Sequence, residues 1–257
     1  MKDQPNADNK PSYRIPEIFS GLPNLVAAES TRHGGVSIFP YNSLNLGGST
    51  KDDTDHVIEN NKRFFSSLGI DFDAVAKSHQ VHGEEILVVT KPGRFEGYDA
   101  LITNIAGIQL SVTIADCTPI LIFDPVKKAI AAIHAGWRGT VQKITYKTVQ
   151  LLRTEYGSDP ADCLAFVGTC IDECSFEVGE EVAENFKSVH KRWDSEKNKF
   201  FVDLKSANRD QLIEAGVRSG NIEISPFSTV INNDDYFSYR KENGLTGRLL
   251  ATIGITS

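Results

Sequence analysis

The apolar positions of this chain follow two periods. LVAAES (25–30) and EILVVT (85–90) are short apolar runs of strand length. QLSVTIA (109–115), PILIFD (119–124) and AIAAIHA (129–135) form a dense central set. Asp124-Pro125 with Lys127-Lys128 predicts a hairpin turn between the last two. After Gly139 the period changes, and Val141, Ile144, Thr148, Leu151 and Leu152 fall on one helical face. CLAFVG (163–168) returns to strand. Val182, Phe186, Val189 and Trp193 mark a second helix, and the polar stretch from Lys191 to Lys199 reads as a loop. Asp203 is a good N-cap for a third helix, with Leu204, Ala207 and Leu212 inward and Gly216 as its stop. These elements predict an α+β fold: a single-domain layered sandwich with a mixed central β-sheet and packed helices. The domain is expected to span 17–257. Residues 1–16, polar and proline-bearing, read as a partly disordered lead-in.

Composition narrows the functional classes. The chain has 257 residues, 40% of them hydrophobic, enough for a core. Net charge is -7 with no basic block, which argues against a nucleic-acid groove but leaves room for a small anionic substrate. No apolar run approaches the roughly 20 residues that a membrane helix needs, and the N-terminus lacks the apolar centre of a signal peptide. Four cysteines without framework spacing point to a reducing cytoplasm.

Three segments concentrate unusual chemistry beside predicted strands: SHQVHGEE (78–85), ADCTP (115–119) and HAGWRGT (134–140). Each has a bland reading. Cys117 alone fits a small buried hydrophobe, His134 a satisfied core histidine, and His79 and His82 exposed loop residues. Together, one cysteine and two histidines at strand–loop junctions supply the ligand types zinc prefers and leave a fourth position open. A Cys117–His134 acyl-transfer dyad, oriented by Asp116 or Gln80, competes for the same residues. The glycines around Trp137-Arg138 and a helix beginning near Thr140 make Arg138 a candidate anion seat; the bland alternative is a salt bridge over the sheet edge. His56 and His190 read as exposed.

The chain resembles the YfiH-type family, also called the multicopper polyphenol oxidoreductase (laccase) family or LACC1-like purine nucleoside phosphorylases. STRHGGVS, YNSLNLGG, HVIENNKR, HQVHG, ADCTPILIFD, AAIHAGWRG, FEVGEEV and YFSYRKENGLTGR carry the resemblance from residue 30 to 248. It implies that His82, which occupies the histidine of QVHG, binds zinc with Cys117 and His134, with copper as the alternative metal. These three would also serve catalysis. Arg32, Asn45, Gln80, Asp116, Arg138 and Arg240 would face substrate. Two positions depart from the family pattern: Gly168-Thr169 stands for glycine-proline, and Ser228-Thr229 for cysteine-threonine.

The resemblance implies phosphorolysis of adenosine, inosine and methylthioadenosine, together with adenosine deamination. The partners would be nucleoside and phosphate. His82-Gly83-Glu84 matches the H-x-E of zinc deaminases, but the companion P-C-x-x-C is missing. Copper-dependent polyphenol oxidation is the alternative, and a chain with six histidines is poorly supplied for several coppers. A thiol hydrolase acting on cell-wall precursors, with Cys117 as nucleophile and His134 as base, is a further alternative.

Overall fold

The computed structural model describes residues 10–256. In chain order, the first strands are β1 (Tyr13–Arg14), β2 (Leu25–Ser30), β3 (Val75–His79), β4 (Ile86–Val88) and β5 (Gly93–Glu96). Then come β6 (Ala100–Thr103), β7 (Gln109–Ile114), β8 (Thr118–Asp124), β9 (Ala129–Ala135) and β10 (Leu164–Val167). The last are β11 (Glu177–Val178), β12 (Lys191–Asp194), β13 (Lys199–Val202), β14 (Ile222–Ile224) and β15 (Leu249–Ile255). The helices are α1 (Thr54–Ser67), α2 (Trp137–Val141), α3 (Ile144–Tyr156), α4 (Glu180–Ala183) and α5 (Leu204–Glu214).

The fold is the expected α+β layered sandwich, built around two mixed six-stranded sheets rather than one. The first sheet runs β1-β2-β15-β7-β3-β5 and the second β14-β10-β8-β9-β6-β4. The central run therefore splits: β7 joins the first sheet, while β8 and β9 form the predicted hairpin in the second. Asp124 closes that hairpin by accepting from the N–H groups of Val126 and Lys127.

Every residue of β8 and β9 is buried, because both faces of the second sheet are covered. Leu121, Phe123, Ile130 and Ala132 pack against Leu110, Val112 and Ile253 of the first sheet. Ile120, Ile122, Ala131 and Ile133 pack against Ile144, Val149 and Leu152 of α3 and Leu212 of α5. On the far side, Phe64 and Phe65 of α1 cover Ala28, Val75 and Leu250 of the first sheet. The layers thus stack as helix, sheet, sheet, helix.

Local chemistry explains α5. The Asp203 side chain accepts from Ser206 N–H, and Gly216 ends the segment at φ +107°. The expected helix through Val182 and Trp193 does not form. α4 stops at Ala183, Val189 is 74% exposed, and Trp193 lies in β12. The polar stretch from Lys191 is a hairpin, with Trp193 and Phe200 as cross-strand partners. These pieces make a small third sheet, β11-β13-β12, beside the main sandwich. The expected lead-in is only partly described: residues 1–9 lie outside the described residues, while Tyr13–Arg14 pair with Ser30 and Glu29.

Candidate active site

The β8–β9 register brings the first two site residues together. Thr118 faces Ala135, so Cys117 and His134 meet at the open end of the hairpin. His82 arrives from the loop after β3 at φ 59°, a left-handed conformation that is costly away from glycine. Asp99, fully buried before β6, holds it there. Its Oδ1 accepts from His82 N–H at 3.0 Å; its Oδ2 accepts from Val81 and Gly83 N–H at 3.1 and 2.7 Å. The same Oδ1 lies 2.7 Å from His134 Nδ1, so one carboxylate orients two histidines. Gln80 pins the loop to β7, accepting from Thr113 N–H and donating to Thr113 C=O, each at 2.8 Å.

The ligand atoms of His82, Cys117 and His134 lie within 4.8 Å of one another. Among the described residues this is the one group of three or more His, Cys, Asp or Glu side chains placed to hold a metal ion. The donor set fits a borderline-soft cation: one sulfur and two imidazoles, with His134 Nδ1 engaged by Asp99, which leaves Nε2, on the Cys117 side, as the ligating nitrogen. The backbone leaves room for this convergence. A Cβ on Gly136 would sit 3.1 Å from Cys117 Sγ and 3.2 Å from His82 Cδ2.

Electrostatics favour the thiolate of Cys117 beside a charged His134. Burial alone would raise the Cys117 thiol, but His134 and then His82 bring it down to about 6. Burial alone would lower His134; the Cys117 sulfur and Asp99 carboxylate push it up to about 9. Burial would raise Asp99 too, yet His134 and the backbone N–H groups hold it below the usual carboxylate range.

A cavity of about 580 Å³ opens beside the three residues, and His79, Gln80, Asp116, Arg138 and Arg240 also line it. Asp116, at φ 86°, acts as a tether. Its carboxylate accepts from Thr229 and Ser238 hydroxyls at 2.6 and 2.7 Å and from Arg240 N–H at 2.6 Å. That fixes the Tyr239-Arg240 segment over the cavity. Arg138 is already inside α2, which starts at Trp137 rather than near Thr140; its guanidinium lies 4.5 Å from the Trp137 ring centre.

Two expected substrate residues stand elsewhere. Arg32 pairs with Glu242 at 3.1 Å and covers the Phe237 ring. Asn45 is fully buried, donating to Asp52 and accepting from Gly47 and Arg248 N–H. Both build the wall behind the cavity rather than line it. His190 is buried rather than exposed, with Nε2 3.3 Å from Asp210. Glu84 pairs with Lys147, so the H-x-E likeness has no counterpart in the cavity. The departure at Thr169 is absorbed locally: its N–H and hydroxyl both donate to buried Glu29, and a proline there could not supply that N–H. Ser228 donates to Asp172.

Sequence reasoning missed Asp99, Lys77, Arg94, Arg248 and the aromatic wall of Trp137, Phe176 and Tyr239. Asp99 carried a signal. It opens the buried run ALIT, just as Cys117 opens TPILIFD.

Known proteins share this architecture. A purine nucleoside phosphorylase of Deinococcus radiodurans is 40% identical over 237 residues, covering 91% of each chain. Purine nucleoside phosphorylase YfiH of Escherichia coli is 36% identical, over 89% of this chain and 93% of its own. The crystal structure of YlmD from Geobacillus stearothermophilus superposes with a TM-score of 0.88 at 32% identity, covering 94% of both chains. The family model described as multi-copper polyphenol oxidoreductase laccase matches residues 26–256. With that match spanning both sheets and all three converging side chains, the chain belongs to the multi-copper polyphenol oxidoreductase laccase family, the family of YfiH and YlmD.

Proposed function

We propose that this chain is a zinc-dependent purine nucleoside phosphorylase acting on adenosine, inosine and methylthioadenosine, with slower adenosine deamination. The carrying observation is the convergence of His82, Cys117 and His134 on a cavity that cations and aromatic side chains also line. Relatives that match nearly the whole chain bear the phosphorylase name. When bound, zinc supplies Lewis-acid polarisation at the position that three protein ligands leave open.

The chain's own residues do the rest. Asp99 holds the proton on His134 Nδ1 and keeps Nε2 facing the cavity. Trp137, Phe176 and Tyr239 supply aromatic wall for a purine, and Gln80 and Asp116 hold the two loops that frame it. In the reaction, an oxygen of hydrogen phosphate bonds to C1′ of the nucleoside. The C1′–N9 bond breaks with its electron pair going to N9, and the phosphate proton ends on the released base. All four cysteines are free thiols, which supports a cytoplasmic setting.

A second reading rests on one observation. Asp99, His134 and Cys117 form an orienter–base–thiol line of the kind that activates a nucleophile. The third donor, a nitrogen of His82, favours metal ligation instead. Copper oxidase chemistry requires more than one centre of this kind, and among the described residues one group is placed for it.

The test assays zinc-loaded, copper-free protein on adenosine, with and without phosphate, and on a phenol. The expected products are adenine and ribose 1-phosphate in phosphate, and slow inosine without it. Phenol turnover without purine products overturns the phosphorylase in favour of the oxidase. Activity that survives chelation but not alkylation of Cys117 promotes the thiol hydrolase.

A further inference from the structure

Lys77 is the least compensated cation in the cavity wall. It sits on β3 directly opposite Arg94 of β5 in the parallel register, so two like charges face each other across one strand pair. Its ammonium has no carboxylate partner among the described residues. The nearest groups are Asn61 Oδ1 at 3.4 Å and the Phe72 ring at 4.8 Å. Burial, then the Arg94 charge, lowers the lysine to about 8. Arg94 is matched only by Glu96 at 3.7 Å, a carboxylate that is 71% exposed and weakly held. A half-buried lysine facing an arginine costs stability unless something negative occupies the space beside them.

The other cavity cations are better provided for. Arg240 donates to the C=O groups of Ser175 and Glu177. Arg248 donates to the C=O groups of Thr246 and Gly247, with Cys117 and Asp116 near enough to offset its charge. Arg138 is exposed to solvent over Trp137. Gly48 lies beside the Arg94 end: a Cβ there would stand 3.4 Å from Arg94 Nη1, an ordinary contact.

We propose that the Lys77–Arg94 end of the cavity is the seat of a phosphate oxyanion, with Lys77 as its principal cation. The assignment rests on the phosphorylase reading for its role in turnover. Its physical basis, two facing cations whose one carboxylate partner among the described residues is the exposed Glu96, stands apart from that reading. Phosphate can reach such a seat as orthophosphate or as the 5′-phosphate of a nucleotide, and both present the same oxyanion.

The experiment titrates zinc-loaded protein calorimetrically with inorganic phosphate and, separately, with adenosine 5′-monophosphate, without turnover. Lys77→Met and Arg94→Met are compared with wild type, and Lys77→Arg serves as the conservative rescue. Lys77→Met is expected to bind phosphate at least tenfold more weakly, Arg94→Met severalfold more weakly, and Lys77→Arg nearly as wild type. Zinc content stays the same. Without phosphate, Lys77→Met melts higher than wild type, since the uncompensated charge is gone; a lysine with a structural role would melt lower on removal. Weakened binding of orthophosphate supports the seat with the co-substrate as ligand. Weakened binding of the nucleotide alone supports it with a nucleotide as ligand. Affinities for both ligands unchanged in Lys77→Met and Arg94→Met, or no phosphate binding by wild type, overturn it. A wild type that binds phosphate at Lys77 but yields no ribose 1-phosphate overturns the phosphorylase and leaves the seat standing.

Discussion

Replacing Asp99 by asparagine tests the core of the site, because the carboxylate has four hydrogen-bond donors and no spare acceptor. Oδ1 serves His82 N–H and His134 Nδ1; Oδ2 serves Val81 and Gly83 N–H. The amide keeps one oxygen and turns one acceptor into a donor. If its NH₂ takes the Oδ2 place, two backbone N–H groups lose their partner. Each costs about 1–3 kcal/mol, and the left-handed turn at His82 loses its anchor. If the NH₂ takes the Oδ1 place, it faces His134 Nδ1 and favours the tautomer with the proton on Nε2, the nitrogen a metal needs. Either orientation should weaken metal binding about 10–100-fold, the range for an outer partner of a ligating histidine. A net stability loss of about 2 kcal/mol corresponds to a melting point lower by roughly 4–8 °C for a domain of this size. The assay is competition with a zinc chelator, paired with melting curves with and without zinc. Affinity within twofold of wild type at an unchanged melting temperature would refute the reasoning that makes Asp99 the organiser of the site.

Three further outcomes follow from the same geometry. Gly136→Ala places a Cβ about where Cys117 Sγ and His82 Cδ2 already crowd, so bound zinc should fall by metal analysis while circular dichroism shows an intact fold; full metal content would contradict the cradle. Protein as purified should carry about one zinc per chain, and Cys117→Ala should lose most of it; equal zinc in the variant would remove Cys117 from the ligand set. Glu29 is buried and, chiefly through that burial, has a raised pKa. The folded state therefore binds more protons there than the unfolded state, and stability falls as pH rises from the ordinary glutamate pKa of 4.5 to the folded one. Glu29→Gln should flatten that part of the urea-unfolding profile, and an unchanged slope would show that Glu29 ionises freely.

Alternation and turn chemistry were enough to locate the β8–β9 hairpin, because a tight turn and two apolar runs are local properties. The cap and stop of α5 were equally readable, since Asp203 and Gly216 act on the backbone within a few residues. The ligand types at 82, 117 and 134 stood out for the same reason: a polar group at the end of an apolar run is visible without knowing what it meets. The resemblance then chose His82 over His79, which the residues alone did not.

Contacts between distant segments were decided only in the folded chain. A strand buried on both faces reads the same whichever sheet it joins, so nothing in QLSVTI separated β7 from β8 and β9. Val182, Phe186, Val189 and Trp193 kept a helical spacing, yet pairing of Trp193 with Phe200 outweighed that local preference. Asn45 and Arg32 belonged to recognisable motifs, but hydrogen bonds to remote loops turned them into supports. Asp99, Lys77 and Arg94 gained their roles only through partners on other strands. The sequence by itself determined which side chains have the chemistry for a metal and an anion. The tertiary structure decided which of them share a cavity, because strand register and sheet packing set those distances.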